Sequence, residues 1–533
     1  MNMKAVGVAF ALVLCAAGRS DGWGGEVRGG GWGEPTYLVV VVGSESVGEE
    51  SEELPVLAQR IAEFHKGRVG RWDGKDRAVL LELLRKVQPE NVCFVVAARD
   101  FDVHLHRRVL LVASQIDDDP FADFAFGYIT GRDVRAAEKF WERIEKLHRA
   151  GLSGKTWIKT AVATGIKSYG MDGGIGDLAK TAGFEGTQHY FGDSSSDPEV
   201  VSYVGKHLPE LERAQVISLT GNGDPQGIWL FDGRRNMDRS LHWSFDPKKV
   251  GHDPEGAMPR ILASQFRNLK LGSPVVWSGT CHFGATHRVF VEGDIVSTFG
   301  RSETVALYEM PPDESLCLAM IDAGAAALLV PVAANHGMSA SRESDFALTH
   351  GATLGEAMKS TYDDVLLQCG GKLHLAFDQP GKKADRSEHV MRGGGSNRVL
   401  IGDPALKLFS RTDDPRRTVE VRDADGEVSI TVSCSAGFHS SDWDMYGDDR
   451  KADWRTYVRV PLPAGSISGQ RPLAATVEAL DEAGNSAPHT MRHAVIESYH
   501  GRHFLHLQAN GPREPFAYKA RRVVFRVRES SAK

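Results

Sequence analysis

The sequence predicts an α/β protein with a mostly parallel sheet, followed by an all-β domain. Three observations predict this. Continuous apolar runs, Tyr37-Leu-Val-Val-Val-Val and Asn91-Val-Cys-Phe-Val-Val-Ala-Ala, have the composition of strands buried on both faces, as in parallel sheets. Stretches with helical spacing alternate with them, at residues 54–64 and 78–87, and that alternation argues for α/β. After about residue 411 the texture changes to short strands of alternating hydrophobicity, opening with a hairpin signal at Asp425-Gly426 between residues 419–421 and 428–432.

In chain order, Lys4, the apolar stretch from Ala5 to Leu14 and the small residues of Cys15-Ala16-Ala17-Gly18 make residues 1–18 an expected export signal. The stretch is too short for a membrane anchor. Leu14 is bulky where lipidation of Cys15 would need a small residue, so secretion is favoured over a lipoprotein. The expected location is periplasmic, cell-surface or extracellular. Residues 19–34 are rich in glycine and tryptophan and read as a linker. The α/β part is expected in two subdomains, 35–152 and 153–410, and a β-sandwich at 411–533. Residues 325–334 are apolar but broken by Pro331, which suits a buried strand and not a membrane span.

Within the α/β part, three acids, Asp117-Asp-Asp, lead into the aromatic strand around Phe124 to Ile129, and a helix follows over 133–147 with Ala136, Phe140, Ile144 and Leu147 on one face. The acids could bind calcium, but a solvated loop that caps a turn or helix is the preferred reading. Strands are expected at 214–220 and 274–280, and a helix at 315–322 closed by Gly324. Thr353-Leu-Gly-Glu356 is a capping box opening a helix that carries Leu354, Met358, Tyr362 and Val365 and stops at Gly370-Gly371. In the tail, residues 477–480, 504–507 and 523–527 continue as short strands.

A chain of 533 residues, 41% hydrophobic and 25% charged, has apolar mass for several cores. Its net charge of −7 argues against a nucleic-acid partner, which usually calls for a basic excess. Of six cysteines, five remain after signal removal, an odd number at wide spacings that is neither a disulfide scaffold nor a zinc ribbon.

Two strand ends carry the candidate chemistry: Thr220-Gly-Asn-Gly-Asp and Ser278-Gly-Thr-Cys-His-Phe-Gly. In open α/β sheets, sites form beyond the carboxyl ends of the strands. Cys281, flanked by small residues, is placed as a nucleophile would be. The amides of Cys281 and Gly223 could form an oxyanion hole. As a lone feature, a strand-end cysteine is more often simply buried.

Several features, in order, resemble the gingipain-type cysteine peptidases of the caspase-like superfamily. They are Asp119-Pro-Phe-Ala-Asp-Phe-Ala-Phe-Gly-Tyr-Ile-Thr-Gly-Arg, the Gly221–Gly223 strand end, the Thr280-Cys281 strand end, Ser315-Leu-Cys-Leu-Ala-Met-Ile-Asp-Ala-Gly and Gly402-Asp-Pro-Ala-Leu-Lys-Leu. The resemblance spans Tyr37 to about Phe409. It implies a caspase–haemoglobinase-like three-layer α/β/α fold, a β domain behind it, and a Cys/His dyad acting on a protein or peptide substrate, with no cofactor. The sequence departs from the family at Asn222, which stands where the general-base histidine is expected and cannot take a proton from a thiol.

His336, in a His-Gly context past the 325–330 strand, is the preferred substitute base; His282, His287, His242 and His252 are the other candidates. Asp224 and Asp232 could orient a base or bind a basic side chain, and residues 229–259 could form a lid. Cys281, His282, His287 and His336 could also hold zinc, which would make the protein a metal-dependent hydrolase. The alternative from a different class is a catalytically inactive peptidase-fold protein used in binding or surface assembly.

Overall fold

The computed structural model describes residues 36–43, 49–162, 178–191, 206, 208–221, 223–229, 260–291, 306–333, 341–369, 395–412, 417–424, 426–434, 444–446, 453–462, 467, 471–510 and 520–530. The expected signal and linker, and the helix stop at Gly370-Gly371, lie outside these residues.

Residues 33–415 form one compact unit. Its strands are β1 (Tyr37–Val42), β2 (Arg68–Trp72), β3 (Asn91–Val96), β4 (Ala125–Ile129), β5 (Thr156–Val162), β6 (Glu185–Phe191), β7 (Val216–Thr220), β8 (Gly223–Asp224), β9 (Gly227–Trp229), β10 (Arg260–Leu262), β11 (Val275–Ser278), β12 (Arg288–Val291), β13 (Ala306–Glu309), β14 (Ala327–Pro331) and β15 (Arg398–Ile401). Its α-helices are α1 (Glu49–Phe64), α2 (Arg77–Val87), α3 (Val103–Ala113), α4 (Val134–Ala150), α5 (Ala263–Arg267), α6 (Leu316–Ala323), α7 (Ser341–Thr349) and α8 (Leu354–Cys369). Ten strands make one sheet in the order β2-β1-β3-β4-β15-β14-β11-β7-β5-β6. The fold is α/β with a mostly parallel sheet, as expected from the apolar runs.

Local sequence explains the elements. Asp76, Asp102, Asp133 and Ser315 cap α2, α3, α4 and α6 by accepting a backbone N–H from the first turn, each cap being worth about 1 kcal/mol. The box at α8 forms: Thr353 Oγ1 accepts from the Glu356 N–H at 3.1 Å, and Glu356 Oε2 accepts from the Thr353 N–H at 2.9 Å. Gly324 closes α6 in the left-handed region at φ 118°, where an L side chain would be strained. The strand expected from Ala325 begins two residues later, because the N–H groups of Ala325 and Ala326 close the helix end and bond to Pro274 instead. The inner face of α4 includes Phe140, Trp141, Ile144 and Leu147.

The sheet has a seam. β2, β1, β3 and β4 are mutually parallel, and so are β14, β11, β7, β5 and β6. Between the two sets lies β15, fully buried, antiparallel to β14 and bridged to β4 through Ile401 and Tyr128. Strands from both expected subdomains thus share one sheet. Side-chain contacts show which loops share an edge. The Thr286 hydroxyl, beyond β11, donates to the Ala98 carbonyl, beyond β3, at 2.6 Å. Arg398, at the start of β15, donates from Nη1 to the Ser278 carbonyl at the end of β11, at 2.9 Å. The carboxyl ends of β3 and β11 therefore meet on one edge. Past the other end of β15, Asp403 accepts from the Tyr37 hydroxyl at the start of β1, at 2.8 Å.

Arg398 is fully buried and fully engaged. Besides Ser278 it donates to the Leu329 carbonyl at 3.1 Å and, through Nε and Nη2, to both carboxylate oxygens of Glu343 on α7. Such a fork-to-fork pair satisfies a charge that could not otherwise be buried.

Residues 416–438 and 453–533 belong to a second compact unit. One antiparallel sheet runs Arg417–Ala424, Glu427–Cys434, Ala520–Glu529, Leu473–Asp481, Ser486–Pro488. In another, Arg502–Asn510 pairs with both Asp453–Pro461 and Thr490–Tyr499. Strict alternation on Glu427–Cys434 buries Val428, Ile430, Val432 and Cys434, the pattern that announced the hairpin. This is the all-β C-terminal part.

Breaking the Arg398–Glu343 pair from one side leaves a buried charge. Glu343→Gln is expected to lower unfolding stability by about 3–5 kcal/mol, and Glu343→Leu with Arg398→Met by much less. Urea-denaturation midpoints of the three proteins check this; equal losses in both variants would contradict it.

Candidate active site

β7 and β11 are parallel neighbours in register from Val216–Val275 to Leu219–Ser278, so they deliver their following loops side by side. The Ser278 hydroxyl donates to the Leu219 carbonyl at 2.6 Å and accepts from the Thr280 N–H at 3.0 Å. One side chain thus ties the two strand ends together and starts the turn. On the β7 side, Gly221 leads to Gly223-Asp224, and Asp224 accepts from the Gln226 N–H at 2.7 Å to shape the return into β9. Asp224 is buried as a turn-former.

The two loops touch at Gly223. A Cβ there would lie 2.2 Å from Thr280 Cγ2 and 2.8 Å from the Gly227 carbonyl oxygen, so the approach requires glycine. Cys281 follows Thr280 on a turn, not on a continued strand. His282 stands in the left-handed region at φ 60°, where histidine is among the better-tolerated residues. Its carbonyl accepts from the Ala285 N–H at 3.0 Å, and its own N–H donates to Ala333 at 3.0 Å, while the Gly284 N–H donates to Pro331 at 2.7 Å. The Cys281–Gly284 turn is therefore pinned to the carboxyl end of β14.

Cys281 is half-buried, whereas Cys93, Cys317 and Cys434 are buried; none of the four is in a disulfide. Burial pushes the Cys93 thiol well up, with the charge of Asp403 adding, and it raises the Cys317 thiol too. Of these four thiols, Cys281 is the one that solvent reaches.

The structure brings Gly223 against the residue before Cys281 and places His282, largely buried, directly after it. Asn222, His336, His242, His252, Asp232 and residues 230–259 of the expected lid lie outside the described residues. His287 is held by Met310: their backbones bond at 2.8 Å, and the ring Nδ1 lies 2.7 Å from the Met310 carbonyl oxygen. A carbonyl only accepts, so Nδ1 carries the proton and Nε2 is the acceptor of the neutral ring. His287 lines a cavity of about 250 Å³ with Arg99, Arg132, Val134 and Pro312, at the carboxyl ends of β3 and β4. Cys281 does not line it.

The acids before β4 act as turn-builders. Asp117 accepts from the Asp119 N–H and Asp119 from the Phe121 N–H, each at 2.9 Å. Carboxylate oxygens of Asp117, Asp119 and Asp123 lie within 4.8 Å of one another. Burial, with the charges of Asp117 and Asp119 adding, pushes the Asp123 carboxyl up to about 9, so at neutral pH this cluster holds a proton. Behind Ser278 stands the Arg398–Glu343 pair, whose members lie 55 residues apart in the chain. Its one signal is a charged residue opening the apolar run Val399-Leu-Ile.

No family model and no curated protein matches the chain. Among solved structures, one described as "Structure of Protease" is similar to it at 11% identity and a TM-score of 0.41, covering 89% of this chain and 92% of that one. A likeness at this level says nothing about chemistry.

Gly223→Ala is expected to destabilise the protein by about 1–3 kcal/mol through overpacking against Thr280. It should also change the rate at which Cys281 reacts with a thiol reagent; an unchanged rate and melting temperature would show that the two loops do not bear on each other. Asp123 gives a pH dependence. Its folded value is raised above the unfolded value of about 3.9, so its contribution to stability is full below pH 4 and is lost as pH rises towards about 9. Asp123→Asn is expected to flatten that slope and to stabilise the protein at pH 8, as read from melting temperatures across the range.

Proposed function

We propose that the protein is an exported, gingipain-type cysteine endopeptidase in which the Cys281 thiolate attacks a peptide carbonyl and His336 or His282 acts as base in place of the missing histidine. The observation that carries this reading is the placement of Cys281. It is the solvent-reached thiol of the four described, it stands past the carboxyl end of a central strand, and its turn packs against a glycine-bracketed loop. The backbone N–H groups of Cys281 and Gly223 would bind the tetrahedral oxyanion, for which donors must sit about 3 Å from the developing charge. The likeness of the ordered motifs to the gingipain type supplies the substrate class, protein or peptide, and the caspase–haemoglobinase-like description of the fold. The N-terminal apolar stretch supports export.

The chemistry turns on the base. A thiol near its usual pKa of about 8.5 is only a few per cent ionised at neutral pH, and a positioned base is worth roughly 10²–10⁴ in rate. Asn222 supports a second reading, an inactive peptidase-fold protein used in binding, because an amide in that position supplies no base.

One experiment separates the two. A mechanism-based thiol probe and a panel of peptide substrates are applied to the wild type, Cys281→Ala, His336→Ala and Asn222→His. The enzyme reading expects labelling and cleavage that vanish with Cys281→Ala and fall about 10²–10⁴-fold with His336→Ala if that residue is the base. The binding reading expects neither in the wild type, with cleavage gained in Asn222→His.

A further inference from the structure

The edge of the sheet opposite Cys281 gathers a second set of chemically capable side chains. His65 follows the last residue of α1, and His148 lies in the last turn of α4. Their Nε2 atoms lie 2.7 and 2.6 Å from the same carboxylate oxygen, Oδ2 of Asp403. The other oxygen, Oδ1, accepts from the Tyr37 hydroxyl at 2.8 Å and from the Ala405 N–H at 2.9 Å. Asp403 is completely buried, while the two imidazoles keep 12% and 16% of their side-chain surface in solvent. Both imidazoles thus border solvent.

Three features favour a cation at this point. The carboxyl ends of two long helices converge on it, and helix carboxyl ends favour positive charge. The carboxylate is held by hydrogen bonds to Oδ1 that aim Oδ2 at the imidazoles, the outer-sphere arrangement that orients metal ligands. The rings are packed: Tyr37 stacks on His65 at 3.9 Å between centroids with an 11° tilt, and His148 meets His65 edge-on at 5.2 Å. Burial alone would push the Asp403 carboxyl up, but the hydrogen bonds from His148 and His65 and their charges hold it well below the usual carboxylate range.

We propose that His65 Nε2, His148 Nε2 and Asp403 Oδ2 bind a divalent transition-metal ion of the zinc type. Two imidazoles and one carboxylate are a ligand set zinc and its neighbours accept, with remaining positions for water. In the metal-free form, protons on the imidazoles bridge each Nε2 to the carboxylate. The ion takes their place, and they pass to Nδ1 or to solvent. Metal–ligand distances of about 2.0–2.2 Å put tetrahedral ligands roughly 3.3 Å apart, so each imidazole moves outward by about 0.6–0.7 Å from its present 2.7 or 2.6 Å, which its partial exposure permits. The bound ion would clasp the ends of α1 and α4 to the loop after β15. This site is separate from Cys281, and the proposal does not depend on the peptidase reading.

The test uses the full chain freed of metal and titrated with Co²⁺, followed by visible absorption and calorimetry, and with Zn²⁺, followed by melting temperature. One equivalent is expected to bind with ligand-field bands and to raise the melting temperature. His65→Gln and His148→Gln, both checked for native circular dichroism, should each weaken that equivalent about 10–100-fold. Cys281→Ser should retain it. Absence of a bound equivalent in the wild type, or binding undiminished in both folded histidine variants, overturns the proposal. Loss in Cys281→Ser alone would overturn it as well, by placing the metal at the other edge.

Discussion

The large unit depends on one short strand that lies between two half-sheets and runs antiparallel to β14. β15 is four residues long, yet it closes the gap between two parallel half-sheets that share no other strand. Each end of it carries a charged residue that could not be buried alone. Arg398 at the start is neutralised by Glu343 and spends its remaining donors on carbonyls of β11 and β14. Asp403, just past the end, is hydrogen-bonded to His65 after α1, to His148 of α4 and to Tyr37 of β1. The seam is therefore held at one edge by a buried ion pair and at the other by a buried hydrogen-bonded carboxylate. Such pairs add little net stability over apolar packing, but they penalise any register in which a partner is missing. They specify the alignment of the half-sheets more than they strengthen it.

The same ion pair bears on Cys281. Arg398 holds the carbonyl of Ser278, Ser278 holds the strand end of β7 and the Thr280 amide, and the cysteine turn is sewn onto β14. The turn that carries the thiol is positioned by backbone geometry.

Much of the fold was legible locally. The apolar runs of β1 and β3, the aspartate cap of α4 and the Thr353–Glu356 box each carry their cause within a few residues. α3 was not legible, because it buries His106 and Arg107. His106 meets the Tyr128 hydroxyl at 3.1 Å, and Arg107 donates to Asn397 at 2.9 Å, partners far away in sequence that turn a polar-looking stretch into a core helix. Burial drives the His106 ring down to about 3, so it is neutral inside. The seam was invisible for the same reason: Val399-Leu-Ile reads as any buried strand, and nothing local says that it runs antiparallel. Of the candidate site, the meeting of the Gly223 and Cys281 loops followed from two strand ends with glycine. The His65–His148–Asp403 cluster did not, because its members come from three distant segments.

The position of β15 along the chain has a kinetic consequence. Asp403 lies 366 residues from its partner Tyr37, so the closing strand is among the last parts of the unit to be made. At a synthesis rate of about 5–20 residues per second, the first half-sheet waits on the order of half a minute with β4 as an open edge. That edge, Ala-Phe-Gly-Tyr-Ile, is wholly apolar apart from its tyrosine hydroxyl and is fully buried once the chain is complete. An exposed strand of this kind invites pairing with another chain. Truncated chains ending before residue 398 are therefore expected to aggregate more readily than the full chain.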